Sequence, residues 1–374
     1  MIDQPQMTTQ HVVQLQRLAT GIINGPLSKG LKAALEAAKR ALETSGDLVS
    51  YTALARAVTL VESAIMTPTT EAWKEISREL AELADYEANW AAKLLSSEGE
   101  TFTAPAAAVV LSQIDRALMT LTAGERVQSG TWAEYVKGIE TSTAQAYANA
   151  LKAGYANGET VRQIAGRFAA ISDGLLRREA EALVRTGVQH YAQQATEAMY
   201  KANADRIEWM VYFSTLDNRT TSLCAGRDGE RWRQDDPKRP SLPAHFNCRS
   251  RYVVLTKAMR QLDGTRTATG GEPGQEALEE FQSRQDRTDK KVRYRGRNDL
   301  TIFDVSKVKA TTAYEDFFLK QPAWWQDSVF GPTRAKLVRS GGMKISQFND
   351  MTGRQLTLKE LRELDAEAFR RAGL

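Results

Sequence analysis

The chain has 374 residues, of which 42% are hydrophobic and 26% charged, a composition typical of soluble globular proteins that excludes wholesale disorder. Fifty Lys and Arg against 46 Asp and Glu give a net charge of +4, too small by itself to indicate a nucleic-acid-binding protein. Two cysteines exclude a disulfide-rich scaffold.

No apolar run approaches the roughly 20 residues that cross a bilayer. The N-terminal residues MIDQPQMTTQ lack the basic start, apolar core and small-residue cleavage site of a secretory signal. We therefore expect no membrane contact and synthesis in the cytoplasm.

Apolar residues recur at helical spacing from His11 to about Ala204, which predicts a long N-terminal helical region. The apolar residues on one face of each helix are expected to form core contacts within a helix bundle, or a face that binds a partner. One helix is predicted to begin at Thr67-Pro68, because Thr is a good N-cap and Pro fits the first helical position; Glu87 then interrupts its apolar seam. Further helices are predicted at Pro105 to Leu121, Thr131 to Ala153, Glu159 to Ile171 and Leu175 to Ala204.

The periodicity changes at Ile207, where IEWMVYFST is rich in β-branched and aromatic residues and predicts a strand. Shorter strand signals follow at residues 230–233 and at Arg251 to Thr256. We expect a small antiparallel sheet packed on the preceding helix, which makes the fold mainly α with a small α+β module.

A short helix is predicted after Lys257, and the Gly-, Thr- and Pro-rich run GTRTATGGEPGQ that follows predicts a linker. Residues Ser283 to Arg297 carry seven basic side chains against two acidic ones. They form either a solvated basic face or a segment that contacts phosphates or an acidic partner. The candidate DNA-binding residues are Arg287, Lys290, Lys291, Arg293, Arg295 and Arg297.

The C-terminal part has aromatic anchors and an amphipathic helix from Leu356 to Phe369. The sequence thus divides into a helical region (1–157), an α+β module (158–263), a linker with the basic segment (264–298) and a mixed, partly helical region (299–374).

Cys224, His245 and Cys248 have the spacing C-x20-H-x2-C, and His245 with Cys248 could present two metal ligands from one turn. Three interpretations are open: reduced, buried thiols beside a hydrogen-bonded histidine, a structural zinc site, or a disulfide between the two cysteines. In each of them the three residues fasten the ends of one long loop.

A structural zinc would need a fourth ligand, from Asp217, Asp228, Asp235 or a water. Cysteine catalysis by Cys224 with His245 and Asp217 is disfavoured, because no nucleophile motif or oxyanion loop accompanies them. We expect Asp217 and Arg219 instead to form an ion pair or a turn-capping network after the strand.

The run Leu216-Asp-Asn-Arg-Thr, then Cys224, Asp228-Gly229 and Pro243-Ala-His-Phe-Asn-Cys-Arg, resembles the signature of the phage Mu F-like minor head proteins, also called the head-morphogenesis family. The helix with Arg178-Glu-Ala-Glu-Ala-Leu-Val-Arg-Thr is similar to that family's R-A-x-x-I-x-R-T-E helix. Gly187 stands where the glutamate is usual, and Ser250 where a second cysteine often follows the arginine. The motif turn comprises Asp217, Arg219, Thr220 and Arg249.

The resemblance implies a minor capsid protein without enzymatic activity. Such a protein binds the portal vertex during procapsid assembly, with portal protein as its partner and scaffold or major capsid protein as further candidate partners. It also implies a place in the virion and a link to packaged DNA or its ejection. No cofactor is required, although a structural zinc fits. The alternatives are a delivery or processing module of a toxin or enzyme system, and a helical scaffold or adaptor.

Overall fold

The computed structural model describes residues 3–96, 101–123, 126–270 and 305–374. It is mainly α-helical with small antiparallel sheets, which confirms the predicted fold class. The larger helices are α1 (Gln4–Ile22), α2 (Ser28–Thr44), α3 (Tyr51–Ser96), α4 (Ala107–Ile114), α5 (Trp132–Ala156), α6 (Val161–Ile171) and α7 (Arg177–Ala202). The shorter helices are α8 (Ser222–Arg227), α9 (Tyr314–Leu319), α10 (Ala323–Phe330), α11 (Pro332–Arg339), α12 (Leu358–Leu364) and α13 (Ala366–Arg371).

The strands are β1 (Met119–Ala123), β2 (Arg126–Gly130), β3 (Ile207–Phe213), β4 (Arg231–Trp232), β5 (Arg251–Thr256), β6 (Thr265–Thr269) and β7 (Val305–Lys309). Among the described residues, no helix is both long and apolar enough to cross a membrane.

Helix α3 is the longest element, at 46 residues, and it packs against α2, α5 and α7. The predicted start at Thr67-Pro68 is wrong, because the helix begins at Tyr51 and Pro68 lies inside it. The apolar stripe of Leu54, Val61 and Ile65 continues in helical register toward the proline, and all three side chains are buried. Burial of this stripe outweighs the backbone hydrogen bond that Pro68 cannot donate.

The predicted helix from Pro105 to Leu121 is also wrong in its second half. Helix α4 ends at Ile114, and β1 pairs with β2 as an antiparallel hairpin. Met119 and Leu121 are buried while Thr120 and Thr122 are only partly covered, which is the alternation of a half-buried strand. Tertiary pairing contributes as well, since the Thr122 N–H donates to the Ala244 carbonyl at 3.2 Å.

The central sheet has the order β4-β3-β5, antiparallel throughout, as expected. Met210, Val211 and Tyr212 of β3 face Val254, Val253 and Tyr252 of β5. The sheet packs against the end of α7, where the Tyr200 hydroxyl donates to the Tyr252 carbonyl at 3.2 Å. The predicted arrangement of sheet on helix is therefore present.

Strand β6 lies where the sequence predicts the start of the linker, and turns replace the short helix predicted after Lys257. β6 pairs with β7 from Thr265↔Lys309 to Thr269↔Val305. Arg266 explains why a strand forms here instead of a linker. Its side chain is 2% exposed, forms an ion pair with Asp228 at 2.9 Å and stacks on Phe213. These contacts are long-range in sequence, so the local Gly- and Thr-rich composition does not reveal them.

The C-terminal region packs short helices around the buried Trp325. The amphipathic helix predicted from Leu356 to Phe369 is divided into α12 and α13. Asp365 separates them because its carboxylate accepts from the Ala368 N–H at 2.8 Å and so caps the second helix.

A buried polar network joins the N-terminal helices to the sheet. Glu87 of α3, fully buried, contacts His11 of α1 at 2.5 Å and Arg251 of β5 at 3.2 Å. The Arg251 guanidinium also donates to Thr196 of α7 at 2.8 Å. His11 stacks on Trp90 with ring centroids 3.8 Å apart. The glutamate that interrupts the apolar seam of α3 thus connects four elements.

We expect Glu87→Gln to lower the free energy of unfolding by about 3–5 kcal/mol, because it leaves the buried Arg251 without its counter-charge. Glu82→Gln is the matched control: it lies on the same helix, but its pair with Arg78 is exposed, so the loss should stay below about 1 kcal/mol. Urea denaturation of both variants measures the difference. Equal losses would show that the buried network contributes no more than a surface pair.

Candidate functional site

The site is formed by helix α8 and the loop that leads into β5. Thr221 caps α8 by accepting from the Cys224 N–H at 3.4 Å, and this places Cys224 in the first turn. In the loop, the Cys248 N–H donates to the His245 carbonyl at 3.1 Å, so His245 and Cys248 project from one tight turn. The structure therefore brings together the three residues that the sequence singled out.

The three side chains converge on one point. Cys224 Sγ lies 3.1 Å from His245 Nε2 and 3.8 Å from Cys248 Sγ. The Tyr212 hydroxyl lies 3.2 Å from Cys224 Sγ, and the Thr221 hydroxyl 3.0 Å from His245 Nε2. Both cysteines are free and buried. The two sulfur atoms are not bonded to each other, so both cysteines are reduced.

The environment favours a charged pair of Cys224 and His245. Burial raises the pKa of the Cys224 thiol, but the Cys248 hydrogen bond and the His245 charge outweigh it and hold that pKa well below its usual range. Burial lowers the pKa of His245, yet the facing Cys224 thiolate raises it overall. The hydrogen bond to Cys224, with burial, raises the pKa of Cys248. The directions of these shifts favour a thiolate at Cys224, a protonated His245 and a neutral thiol at Cys248.

The donor set fits a zinc ion. Within the described residues, Cys224, His245 and Cys248 are the group whose ligand atoms lie close enough to hold a metal, all within 4.8 Å of one another. A tetrahedral zinc with Zn–S bonds of about 2.3 Å separates two sulfurs by about 3.8 Å, which matches the distance found here. His245 Nδ1 lies 2.8 Å from the Phe246 carbonyl, the second contact that orients a metal-binding imidazole.

Backbone groups support the same fit. The Ala244 and Ser250 N–H groups donate to Cys248 Sγ and oppose the rise of its pKa. Two backbone donors directed at one sulfur stabilise a thiolate, the form that binds metal. These two contacts do not outweigh the Cys224 hydrogen bond and burial, so the pKa of Cys248 stays above its usual range, and a bound cation would be needed to favour its thiolate.

The carboxylates considered as a fourth ligand are engaged elsewhere or stand apart. Asp217 forms a bidentate pair with Arg249, at 2.5 and 2.7 Å. Asp228 pairs with Arg266 and accepts from the Ser214 N–H at 2.7 Å. Asp235 is exposed and lies outside the metal-holding group. No carboxylate among the described residues therefore joins the three donors.

The family-motif turn is a closed network around Asp217. Its carboxylate accepts from the Arg219 N–H at 3.0 Å and from the Thr220 hydroxyl at 3.2 Å. Burial raises the pKa of Asp217, but the Arg249 charge outweighs it and lowers the pKa overall. The ion-pair partner is therefore Arg249, and Arg219 contributes the backbone cap. The Tyr314 hydroxyl donates to the Asp217 carbonyl at 2.6 Å, so the C-terminal region closes over the turn.

Two further residues hold the site, and the sequence assigned them no role. Thr186 of α7 accepts from the Asn247 N–H at 3.0 Å, which fastens the His245 loop to the helix. Tyr212 of β3 is fully buried beside Cys224. Thr186 belongs to the Arg-Thr pair of the motif helix, and Tyr212 ends the apolar strand. The Arg-Thr pair and the apolar strand are visible in the sequence, but the contacts of Thr186 with Asn247 and of Tyr212 with Cys224 are not.

Gly187 has a packing reason. A Cβ atom at this position would lie 2.7 Å from Trp132 Cη2 and 3.2 Å from Leu80 Cδ1. The indole of Trp132, which donates to the Ser77 hydroxyl at 2.9 Å, therefore occupies the space beside the helix where the resemblance expects a glutamate.

The candidate DNA-binding residues Arg287, Lys290, Lys291, Arg293, Arg295 and Arg297 lie outside the described residues. The described strands on either side of them, β6 and β7, pair with each other. Thr269 and Val305, on either side of this segment, are therefore paired neighbours.

We expect Gly187→Ala to destabilise the protein by about 1–2 kcal/mol, because the collision with Trp132 outweighs the gain of about 1 kcal/mol that alanine gives a helix interior. Gly138→Ala in α5 is the matched control, since a Cβ there meets nothing within 4 Å, and it should stabilise. Chemical denaturation of both variants provides the comparison. A stabilised Gly187→Ala protein would contradict the packing explanation.

Comparison with known proteins addresses the same stretch of chain. Residues 144–253 match the model of the family described as Phage Mu protein F like protein. This range runs from α5 through α7, the sheet and the Cys224–His245–Cys248 site. No curated protein and no solved structure gives a significant match. Residues 144–253 of this chain are therefore similar to the Phage Mu protein F like family, which supports a phage head-morphogenesis protein.

Proposed function

We propose that this protein is a minor capsid protein that binds at the portal vertex during procapsid assembly and becomes part of the phage head. The observation that carries the proposal is the family match over the folded module that contains the site. Among the described residues, the ionisable groups at the site are consistent with a structural role: Asp217 and Asp228 are held by arginines, and the cysteines are buried.

The way in which the module is anchored also supports an assembly role. Helix α3 reaches the module through the Glu87–Arg251 contact, and the C-terminal region reaches it through Tyr314 and through the Ser222 hydroxyl, which donates to Asn349 at 2.8 Å. A module that is held by both α3 and the C-terminal region can transmit force between binding partners without changing conformation, which suits a component of a head vertex.

We expect the protein to be present in precursor heads that contain portal protein and absent from heads assembled without it. Purified heads from the two assemblies, quantified by mass spectrometry against major capsid protein, provide the measurement. Equal abundance in both would contradict portal binding, and absence from both would contradict a place in the head.

We further propose that the basic segment contacts DNA nonspecifically. Changing Lys290, Lys291, Arg293 and Arg295 to Glu should weaken binding to any sequence and lower the slope of log K against log salt by about 4, one for each lost phosphate contact. The matched control reverses four exposed basic residues on α2 and α5, Lys32, Arg40, Lys137 and Lys152, for the same change in net charge. Equal effects in the two variants would indicate overall charge rather than a binding segment.

We also propose that Cys224, His245 and Cys248 bind one zinc ion, which clips α8 to the His245 loop. Such an ion stabilises the folded state because the unfolded chain lacks the assembled site. Native mass spectrometry should show about one zinc per chain, lost in Cys248→Ser. The control is His190→Gln, whose histidine is buried outside the site and should leave the stoichiometry unchanged. A two-hydrogen mass deficit that reductant reverses would indicate a disulfide instead.

A further inference from the structure

A groove runs along helix α3 from Pro68 to Glu87. It consists of two open clefts of about 470 and 540 Å³, and Arg78 lines both of them. The helix contributes one face to the groove, because the lining positions recur every three or four residues. From residue 68 to residue 87 the helix rises by about 29 Å. The groove is therefore long enough to receive an extended element of another chain.

The wall opposite α3 is formed by α1 and by the start of α2. Leu15 and Leu18 of α1 line one cleft, and Gly30 and Ala33 of α2 line the other. A Cβ atom at Gly30 would lie 2.3 Å from the Ala72 Cβ, so α2 and α3 touch each other at the base. The space that remains lies on the solvent side of this contact.

Apolar side chains are exposed at the Glu87 end of the groove. Leu18 is 36% exposed and Tyr86 is 55% exposed, and both line the same cleft. The Tyr86 ring stacks on His11 with ring centroids 6.3 Å apart, and His11 is held by its buried contact with Glu87. An aromatic ring that is supported in this way offers a partner apolar contact at a low cost in conformational entropy.

The charge of the groove is acidic, although the whole chain has a net charge of +4. Its lining has five carboxylates against three Lys or Arg residues. Lys74 and Arg78 already pair with other glutamates of α3, at 2.8 and 2.7 Å. Within the described part of the chain, Glu75 and Glu79 form no ion pair, and like charges four residues apart repel each other on a helix. A cation in the groove would relieve this repulsion.

We propose that this groove binds a basic amphipathic helix of another protein. Lysine or arginine side chains of that helix pair with Glu75 and Glu79, and its apolar side chains cover Leu18 and Tyr86. A helix of about 20 residues matches the length of the groove. Nucleic acid does not fit, because the carboxylates repel phosphates. This surface is additional to the proposed role in head assembly, and it does not depend on that role.

Peptide binding to the isolated full chain tests the proposal. The probe is a fluorescent helical peptide of about 20 residues with lysines on one face and leucines on the other. A second peptide has the same composition in an order that mixes the two faces. Fluorescence anisotropy should show that the amphipathic peptide binds at least about tenfold more tightly than the mixed one. Added salt should weaken this binding, because it screens the exposed charges.

Charge variants locate the binding surface. Glu75→Gln combined with Glu79→Gln should weaken binding of the amphipathic peptide by roughly tenfold, because both attractive charges are lost. The matched control combines Glu43→Gln with Glu179→Gln, which removes the same charge from exposed positions outside both clefts. It should change the affinity by less than about twofold.

A tyrosine pair tests the apolar part of the groove. Tyr86→Ala should weaken binding by roughly fivefold, because it removes the exposed ring from the cleft. Tyr51→Ala is the matched control, since Tyr51 lies on the same helix, is 78% exposed and lies outside both clefts. It should leave the affinity unchanged. Circular dichroism checks that each variant is folded before peptide is added.

The proposal is overturned if the two peptides bind equally, if the two pairs of glutamate substitutions have equal effects, or if Tyr51→Ala weakens binding as much as Tyr86→Ala. Photo-crosslinking in assembled heads then identifies the occupant, with p-benzoylphenylalanine at position 86. A cross-link to a basic helical segment of another head protein supports the proposal. A cross-link to DNA, to a second copy of this chain or to its own residues 271–304 overturns it. Absence of the protein from heads contradicts the proposed function alone, because peptide binding is measured on the isolated chain.

Discussion

The contact between Glu87 and Arg251 joins the halves of the chain that carry architecture and site. The Glu87 carboxylate has no exposed surface, and the Arg251 residue is 2% exposed. Burying either charge alone is costly, and their mutual attraction offsets part of that desolvation cost. His11 and Thr196 complete the network. Because its members come from α1, α3, α7 and β5, the network ties the N-terminal helices to the sheet.

The same principle recurs around the site. Arg249 with Asp217 joins two parts of the motif that lie 32 residues apart along the chain, and Arg266 with Asp228 ties the motif to β6. Each pair fixes a turn that would otherwise be one conformation among several. The cysteines and His245 therefore lie in a loop whose ends are held by ion pairs, and a metal would add to an order that these pairs already establish.

The sequence predicts the class of fold, and it singles out three residues that lie together in the structure, because both predictions depend on local patterns. Helical periodicity, the apolar strand from Ile207 and the spacing of Cys224, His245 and Cys248 are each visible within short windows. Failures occur where distant contacts decide the outcome. Pro68 lies inside α3 because burial of the stripe before it prevails, and β6 forms because Arg266 reaches Asp228.

The motif identifies the residues of the site, but it does not show which residues pair with them. The exclusion of Asp217 and Asp228 from the donor group follows from Arg249 and Arg266, which lie 32 and 38 residues away along the chain. Similarly, the space beside Gly187 is filled by Trp132, 55 residues upstream. Spacing within a motif carries no information about such partners.

Helix α3 sets a length scale for the whole molecule. With 46 residues and a rise of 1.5 Å per residue it extends over about 70 Å. Near its first turns Leu54, Ala57 and Val61 are buried against α2, α5 and α6, and near its last turns Ala91, Ala92 and Leu95 are buried against the sheet that carries the site. The centres of these two packed segments lie about 50 Å apart along the helix. One continuous helix therefore spaces the α2–α5–α6 packing from the sheet that carries the site.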